Sequence, residues 1–248
     1  MKLALLPILL TCGVVACTDT PAPPPSAAPP AITQPAAAPR PATVSMTKER
    51  QAAVTPDTAL AMLKQGNARF VDGTMTPRDL REQVKATGEG QYPFASILSC
   101  IDSRSGPELV FDQGIGDIFV PRVAGNLVNE DILGSLEYAS RVAGSRLVVV
   151  LGHTNCGAVK GACDNVKLGN LTPLLGRLRE VVNGVHHAGD RTSANHEFVD
   201  MVAEANVRDA VADIRTRSQV LADMEKKGEI KIAGAMLNVA TGRVTFLE

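Results

Sequence analysis

The chain has 248 residues, with 25 basic and 26 acidic side chains and a formal net charge of −1. So even a balance excludes a strongly basic nucleic-acid binder, and the absence of Trp, with aromatics at only 3%, excludes a base-stacking platform. Five cysteines are too few, and odd in number, for a disulfide scaffold of this size.

Met1-Lys2 opens the chain and the apolar run Leu3 to Val15 follows, ending at Ala16-Cys17. One early Lys, an apolar stretch and a small residue before a break read as a secretory signal over residues 1–16. The run is too short to span a bilayer, which takes roughly 20 residues. From these residues alone, Cys17 is either incidental to an ordinary signal peptide or its processing site. The segment Val14-Val15-Ala16-Cys17 resembles the lipobox of bacterial lipoproteins. That resemblance implies a lipidated Cys17 as the mature N-terminus, with Cys12 removed with the signal. It also implies a bacterial envelope location on the periplasmic side, and Thr18 after the Cys leans the anchor towards the outer membrane. Several acyl chains would hold the protein on the membrane stably. Between Pro21 and Pro41, Pro and Ala occupy 16 of 21 positions. Pro favours extended polyproline II, so residues 17–54 read as a semi-rigid linker. The 194 residues from Thr55 to Glu248 then form one domain large enough to bury a core.

In the body, Thr55-Pro56-Asp57 reads as a helix start, with Thr as cap and Pro at the first helical position. Leu60, Leu63 and Phe70 continue it at near-helical spacing. Phe94 to Ser99 is the first strand candidate and Asp117 to Pro121 the second. Glu130 to Val142 reads as a helix. Arg146 to Leu151 carries an unbroken Leu-Val-Val-Val-Leu, the mark of a strand buried on both faces in a parallel sheet. Helical patterns follow at Pro173 to Val185 and Asn195 to Lys227. Lys231 to Val239 and Val244 to Leu247 read as strands joined by the turn Ala240-Thr241-Gly242-Arg243. The alternation predicts an α/β fold: a mostly parallel central sheet flanked by helices, closed by a C-terminal hairpin.

Two clusters carry the chemistry. Cys100-Ile101-Asp102-Ser103-Arg104 follows the first strand candidate, and Gly152-His153-Thr154-Asn155-Cys156-Gly157 follows the Leu-Val-Val-Val-Leu run. In open α/β sheets, sites form beyond the carboxyl ends of the strands. Neighbouring ends would bring Cys100, Asp102, His153 and Cys156 together. Thiolate, imidazole and carboxylate are zinc ligands, and three protein ligands with a free position mark a catalytic ion. The spacing alone leaves open a structural zinc, or two core cysteines and an unrelated histidine. Cys163, seven residues after Cys156, reads as a small buried hydrophobe. His186, His187 and His196 lie in or near a polar segment and read as surface residues.

These clusters resemble the CxDSR and GHxxCG motifs of the β-class carbonic anhydrases. The likeness continues through Phe111-Asp112-Gln113-Gly114, Asp117 to Val120, Arg122 to Asn126, Leu136-Glu137-Tyr138-Ala139, Ile232-Ala233-Gly234-Ala235 and Thr241-Gly242-Arg243-Val244. Three departures are visible. Ile101 stands for a small polar residue, Ser105 for Val, and Ala124 for a larger apolar side chain. The resemblance implies one Zn²⁺ per subunit on Cys100, His153 and Cys156, and reversible hydration of carbon dioxide to bicarbonate by zinc-bound hydroxide. It implies Asp102 and Arg104 as the catalytic pair and Gln91 as an amide donor to substrate. Phe119, Ala124 and Tyr138 then form an apolar wall, with Gly157 at the substrate site. Part of that wall comes from a neighbouring subunit in the family, so a homodimer or larger assembly is expected. In a closed state known in the family, Asp102 becomes the fourth zinc ligand. Members showing it have a bicarbonate pocket containing Trp. This chain has no Trp, and Ile97 occupies the position three before Cys100, so the open state with Arg104 engaged is expected. The same ligand set could attack a sulfur analogue of carbon dioxide, and a tethered binding module without catalysis would keep the same fold. The intact ligands, Asp102, Arg104 and Gln91 favour the enzyme.

Overall fold

A computed structural model describes residues 45–247. The signal segment, Cys12, Cys17 and most of the linker lie outside the described residues. The described residues ahead of Thr55 already pack on the body. Ser45 and Met46 are buried and the short helix α1 (Lys48–Ala52) packs against the body. Gln51 donates to the carbonyls of Pro93 and Ala143, each at 2.8 Å, and Met46 N donates to Asp117 Oδ1 at 3.1 Å. These partners are 42 to 92 residues distant, so the linker-like composition before Thr55 gave no sign of them.

Helix α2 (Pro56–Val71) starts at the expected Thr55 cap, whose hydroxyl accepts from Thr58 N. The sequence reading passed over α3 (Leu80–Thr87), capped by Asp79. Strand β1 (Ala95–Ser99) leads into the first cysteine loop and the single turn α4 (Pro107–Val110). The second strand is only β2 (Ile118–Phe119). Helix α5 (Glu130–Glu137) passes into a π-helical turn over Tyr138–Val142, within the stretch expected as one helix. Strand β3 (Leu147–His153) runs two residues further than predicted and carries His153 itself. After it come α6 (Gly157–Cys163) and α7 (Leu171–Gly184). The long helical pattern to Lys227 divides into α8 (His196–Arg217) and α9 (Gln219–Lys226). The break falls at Ser218, whose hydroxyl accepts from Leu221 N and donates to Glu137 Oε1 at 2.6 Å. A cap with a partner 81 residues away ends one helix and starts the next.

The sheet order is β2-β1-β3-β4-β5, with β4 spanning Lys231–Leu237 and β5 Val244–Leu247. The pairs β1–β2, β1–β3 and β3–β4 are parallel, and β5 returns antiparallel on β4 with Leu237 opposite Val244. Central β3 is buried along its whole length, as its unalternating sequence requires. Its side chains still alternate. Leu147, Val149 and Leu151 join the core with Leu63, Phe94 and Phe111, while Val148 and Val150 join Val207, Ile214 and Leu221 on the other face. Helix α8 lies close on that second face because two strand positions lack a Cβ. A Cβ on Gly152 would come within 2.4 Å of Val207 Cγ2, and one on Gly234 within 2.8 Å of Val207 Cγ1. Among the described residues, no helix is long and apolar enough to cross a membrane.

Candidate metal centre

Parallel pairing sets Ser99 of β1 beside Leu151 of β3, so both strands end on the same edge of the sheet. Cys100 follows the first end and His153 closes the second. The turn Thr154-Asn155, with Asn155 in the left-handed region (φ 57), brings Cys156 round to the N-cap of α6. The ligand atoms of Cys100, His153 and Cys156 lie within 4.8 Å of one another, and all three residues are buried.

The donor set fits zinc on two observations. His153 Nδ1 lies 3.0 Å from the Thr154 carbonyl, which can only accept, so Nδ1 carries the proton and Nε2 keeps its lone pair. Nε2 is buried and has no hydrogen-bond partner. The second observation is the sulfur pair. The hydrogen bond from Cys156 lowers the pKa of Cys100 to about 4, helped by His153 and by the backbone N–H of Gly125, while the same pairing pushes Cys156 up. A divalent cation on the three atoms would let both ionise. Burial opposes the charged form of His153, yet the Cys100 thiolate outweighs it and raises the imidazole.

The Asp102 carboxylate is turned to Arg104. Its Oδ1 accepts from Arg104 Nε (2.9 Å) and from the Arg104 backbone N–H (3.0 Å), and its Oδ2 from a terminal nitrogen at 2.8 Å. This bidentate pair holds Asp102 far below the usual carboxylate range. Oδ2 stands 3.9 Å from His153 Nε2, and the Asp102 side chain is 15% exposed.

Several residues without an assigned part hold this loop. Arg122 Nε donates to the Cys100 carbonyl (2.8 Å) and its NH2 to that of Asp102 (2.6 Å). Ser105, noted only as a departure, is buried, and its hydroxyl donates to the Asp102 carbonyl at 2.9 Å. Gly125 N donates to Cys100 Sγ at 3.3 Å. Gly125 has φ 70, and a Cβ there would meet Leu178 Cδ1 at 2.9 Å, so the approach of this amide needs glycine. Asp200 and Asn206 reach the site from α8. The available signal for Asn206 is a lone amide on the apolar stripe of Val202, Ala203, Val207 and Ala210.

The substrate residues expected from the sequence do not all gather here. Ala124 adjoins Gly125, and Gly157 follows Cys156 at the start of α6. Phe119 instead pairs with Ser96, four residues before Cys100, or about 13 Å back along the sheet. It meets Tyr138 edge to face at 6.3 Å, and the two line a groove of about 710 Å³ with Ser96 and Pro121. Tyr138 is 54% exposed. Gln91 is exposed and precedes β1, at the other end of the strand from Cys100. Cys163 is half-buried and free, with burial raising its thiol pKa. His187 rests on Phe198, with ring centroids 5.6 Å apart.

Two sulfurs and one imidazole at the carboxyl ends of parallel strands are three zinc ligands, the number that marks a catalytic rather than a structural zinc site. A family model described as carbonic anhydrase matches residues 95–244. Carbonic anhydrase 2 of Mycobacterium tuberculosis is 37% identical over 195 residues, covering 77% of this chain and 92% of that one. The crystal structure of a β-carbonic anhydrase of Aspergillus fumigatus superposes with a TM-score of 0.58 at 28% identity, covering 77% of this chain and 90% of the other. A structure described as one of two tetrameric β-carbonic anhydrases of Sordaria macrospora shares the fold at 20% identity, with a TM-score of 0.57 over 67% of this chain and 90% of that one. The chain belongs to the carbonic anhydrase family, in its β-class. It is a zinc enzyme that hydrates carbon dioxide to bicarbonate.

Proposed function

We propose that Asp102 and Arg104 act as one unit in this hydration, at a pocket that two copies of the chain complete together, on a body tethered to a cell envelope. The bidentate Arg104–Asp102 pair carries the reading. Bound by Cys100, His153 and Cys156, zinc supplies the Lewis acidity that lowers the pKa of water towards neutrality. An ionised carboxylate only accepts hydrogen bonds. With Arg104 fixing both oxygens, Asp102 Oδ2 can receive the O–H of the attacking water or hydroxide and turn its lone pair towards the substrate carbon. Arg104 keeps Asp102 ionised, so Asp102 orients the nucleophile and gives it no proton. Two thiolate ligands offset the charge of the ion, so activity is expected to rise as pH goes above neutral.

Carbon dioxide asks for an apolar wall and one donor. Ala124 and Gly157 flank the ligands of their own chain. Phe119, Tyr138 and Gln91 lie too far back along β1 to serve them, which supports a second copy as the source of the remaining wall and of the Gln91 amide. The exposed Tyr138 and its groove are the surface such a copy would cover.

The envelope reading stands on residues 1–16, Cys17 and the Pro/Ala linker. The described chain enters the body at Ser45, and Met46 binds Asp117 just before β2, at the opposite end of the parallel strands from the ligands. Mass spectrometry of the mature N-terminus checks the envelope reading: a triacylated Cys17 supports it, and an unmodified N-terminus refutes the anchor. Stopped-flow hydration by zinc-loaded protein, with Cys100→Ser as control, tests the catalytic reading. A rate rising above pH 7 and absent from the variant is expected. Equal rates, or a flat pH profile, would overturn it.

A further inference from the structure

We infer that α8 is the positioning element of the metal centre, acting through Asp200 and Asn206 on the two loops that carry its sulfur ligands. The inference rests on Cys100, His153 and Cys156 as the zinc ligands.

The first loop is held through a relay. Asn206 Nδ2 donates to the Gly125 carbonyl at 2.8 Å, and the N–H of the same Gly125 donates to Cys100 Sγ at 3.3 Å. Gly125 sits in the left-handed region, and a residue there rotates easily unless its polar groups are held. Fixing its carbonyl therefore helps fix where its N–H points. The second loop is gripped directly: Asp200 Oδ1 accepts from Asn155 N at 2.8 Å. Asn155 lies between His153 and Cys156 and is also left-handed, at φ 57. Each loop thus has one left-handed backbone position held by one side chain of α8.

The two side chains are six residues apart, about 9 Å along the helix. The helix itself is seated firmly, because Gly152 and Gly234 admit Val207, the neighbour of Asn206, against the sheet. Asn206 is buried among Val202, Ala203 and Val207, where an amide costs stability unless it is bonded. A Leu would fill that position with less desolvation, so what Asn adds is the bond to Gly125. Neither Asp200 nor Asn206 touches a ligand atom, and both act through the loops. Partners one step beyond the ligands commonly contribute 10–100-fold to metal affinity.

The test uses the full chain loaded with zinc, and with cobalt(II) as a spectroscopic probe of the metal–thiolate bonds. Asn206→Leu keeps the bulk and removes the donor. Asp200→Ala removes the acceptor, whereas Asp200→Asn retains an Oδ1 that can still receive Asn155 N–H. We expect zinc release to a chelator about 10-fold faster or more in Asn206→Leu and Asp200→Ala. Their cobalt–thiolate charge-transfer band should shift or weaken, and Asp200→Asn should restore values near wild type. Thermal unfolding of the metal-free variants separates loss of fold from loss of positioning. If Asn206→Leu does not fold, the Asp200 pair decides alone. Folded variants with wild-type release rates and an unchanged band would overturn the inference, as would Asp200→Asn behaving like Asp200→Ala. Failure of the ligand assignment is a different result: wild type itself would then show no cobalt–thiolate band.

Discussion

A pocket built by two chains predicts complementation between two crippled variants. Cys100→Ser removes a ligand from its own chain's site. Gln91→Ala removes the amide proposed for the other chain's site. Gln91 is exposed and lies before β1, a strand about 17 Å long whose far end leads to Cys100. Its truncation should therefore leave folding and zinc content unchanged. Loss of one donor aimed at developing charge lowers turnover about 100-fold. Each variant alone should thus be nearly inactive. After subunit exchange of an equal mixture, one site in four joins the ligands of a Gln91→Ala chain to the amide of a Cys100→Ser chain. Activity should recover to roughly a quarter of wild type, as random pairing across a two-fold interface requires. Stopped-flow assays on the mixture, with exchange verified by native mass spectrometry, give the reading. Activity no greater than the sum of the separate variants, despite full exchange, would show that each chain builds its own pocket and refute the reasoning.

Two further predictions concern the scaffold. Asp112 is fully buried and is held below the usual carboxylate range: burial raises it, but Arg78, Arg69 and Thr76 more than compensate. A depressed carboxyl stabilises the fold above its unfolded pKa, near 4, and loses that contribution as pH falls through the folded value. Asp112→Asn, which tolerates the left-handed backbone there (φ 48), should cost about 3 kcal/mol at pH 7 and progressively less below pH 4. Urea titrations at both pH values measure this, and a constant difference would contradict it. Gly152→Ala should push Val207 and α8 off the sheet. A loss of about 1–3 kcal/mol, again from urea unfolding, is expected, and wild-type stability would show that α8 is not packed as described.

Much of the architecture was legible in the chain because it depends on neighbours in sequence. The Leu-Val-Val-Val-Leu run announces a strand covered on both faces, and Thr55-Pro56 announces a helix start. Cys100, His153 and Cys156 follow apolar runs, and parallel strands place such ends together. Where a partner lies far along the chain, the local pattern misled. Residues before Thr55 look like linker, yet Gln51 is buried by bonds to Pro93 and Ala143. The helical pattern from Asn195 to Lys227 is continuous in hydrophobic spacing, and it breaks at Ser218, which caps α9 on Leu221 N and is anchored by Glu137, 81 residues away.

The sequence by itself carried the candidate donors, the carboxylate and guanidinium beside them and the strands that present them: short-range spacing set these residues after apolar runs, and the motif resemblance supplied their roles. Only the tertiary structure decided which groups hold them. The bond from Asn206 to Gly125 spans 81 residues and that from Asp200 to Asn155 spans 45. It also showed that Phe119, Tyr138 and Gln91 lie away from their own chain's ligands. Periodicity tells a residue which face of its element is buried. It does not tell a polar side chain on that face which distant backbone group it will meet. That meeting is set by how closely α8 lies on the sheet, through the missing side chains of Gly152 and Gly234.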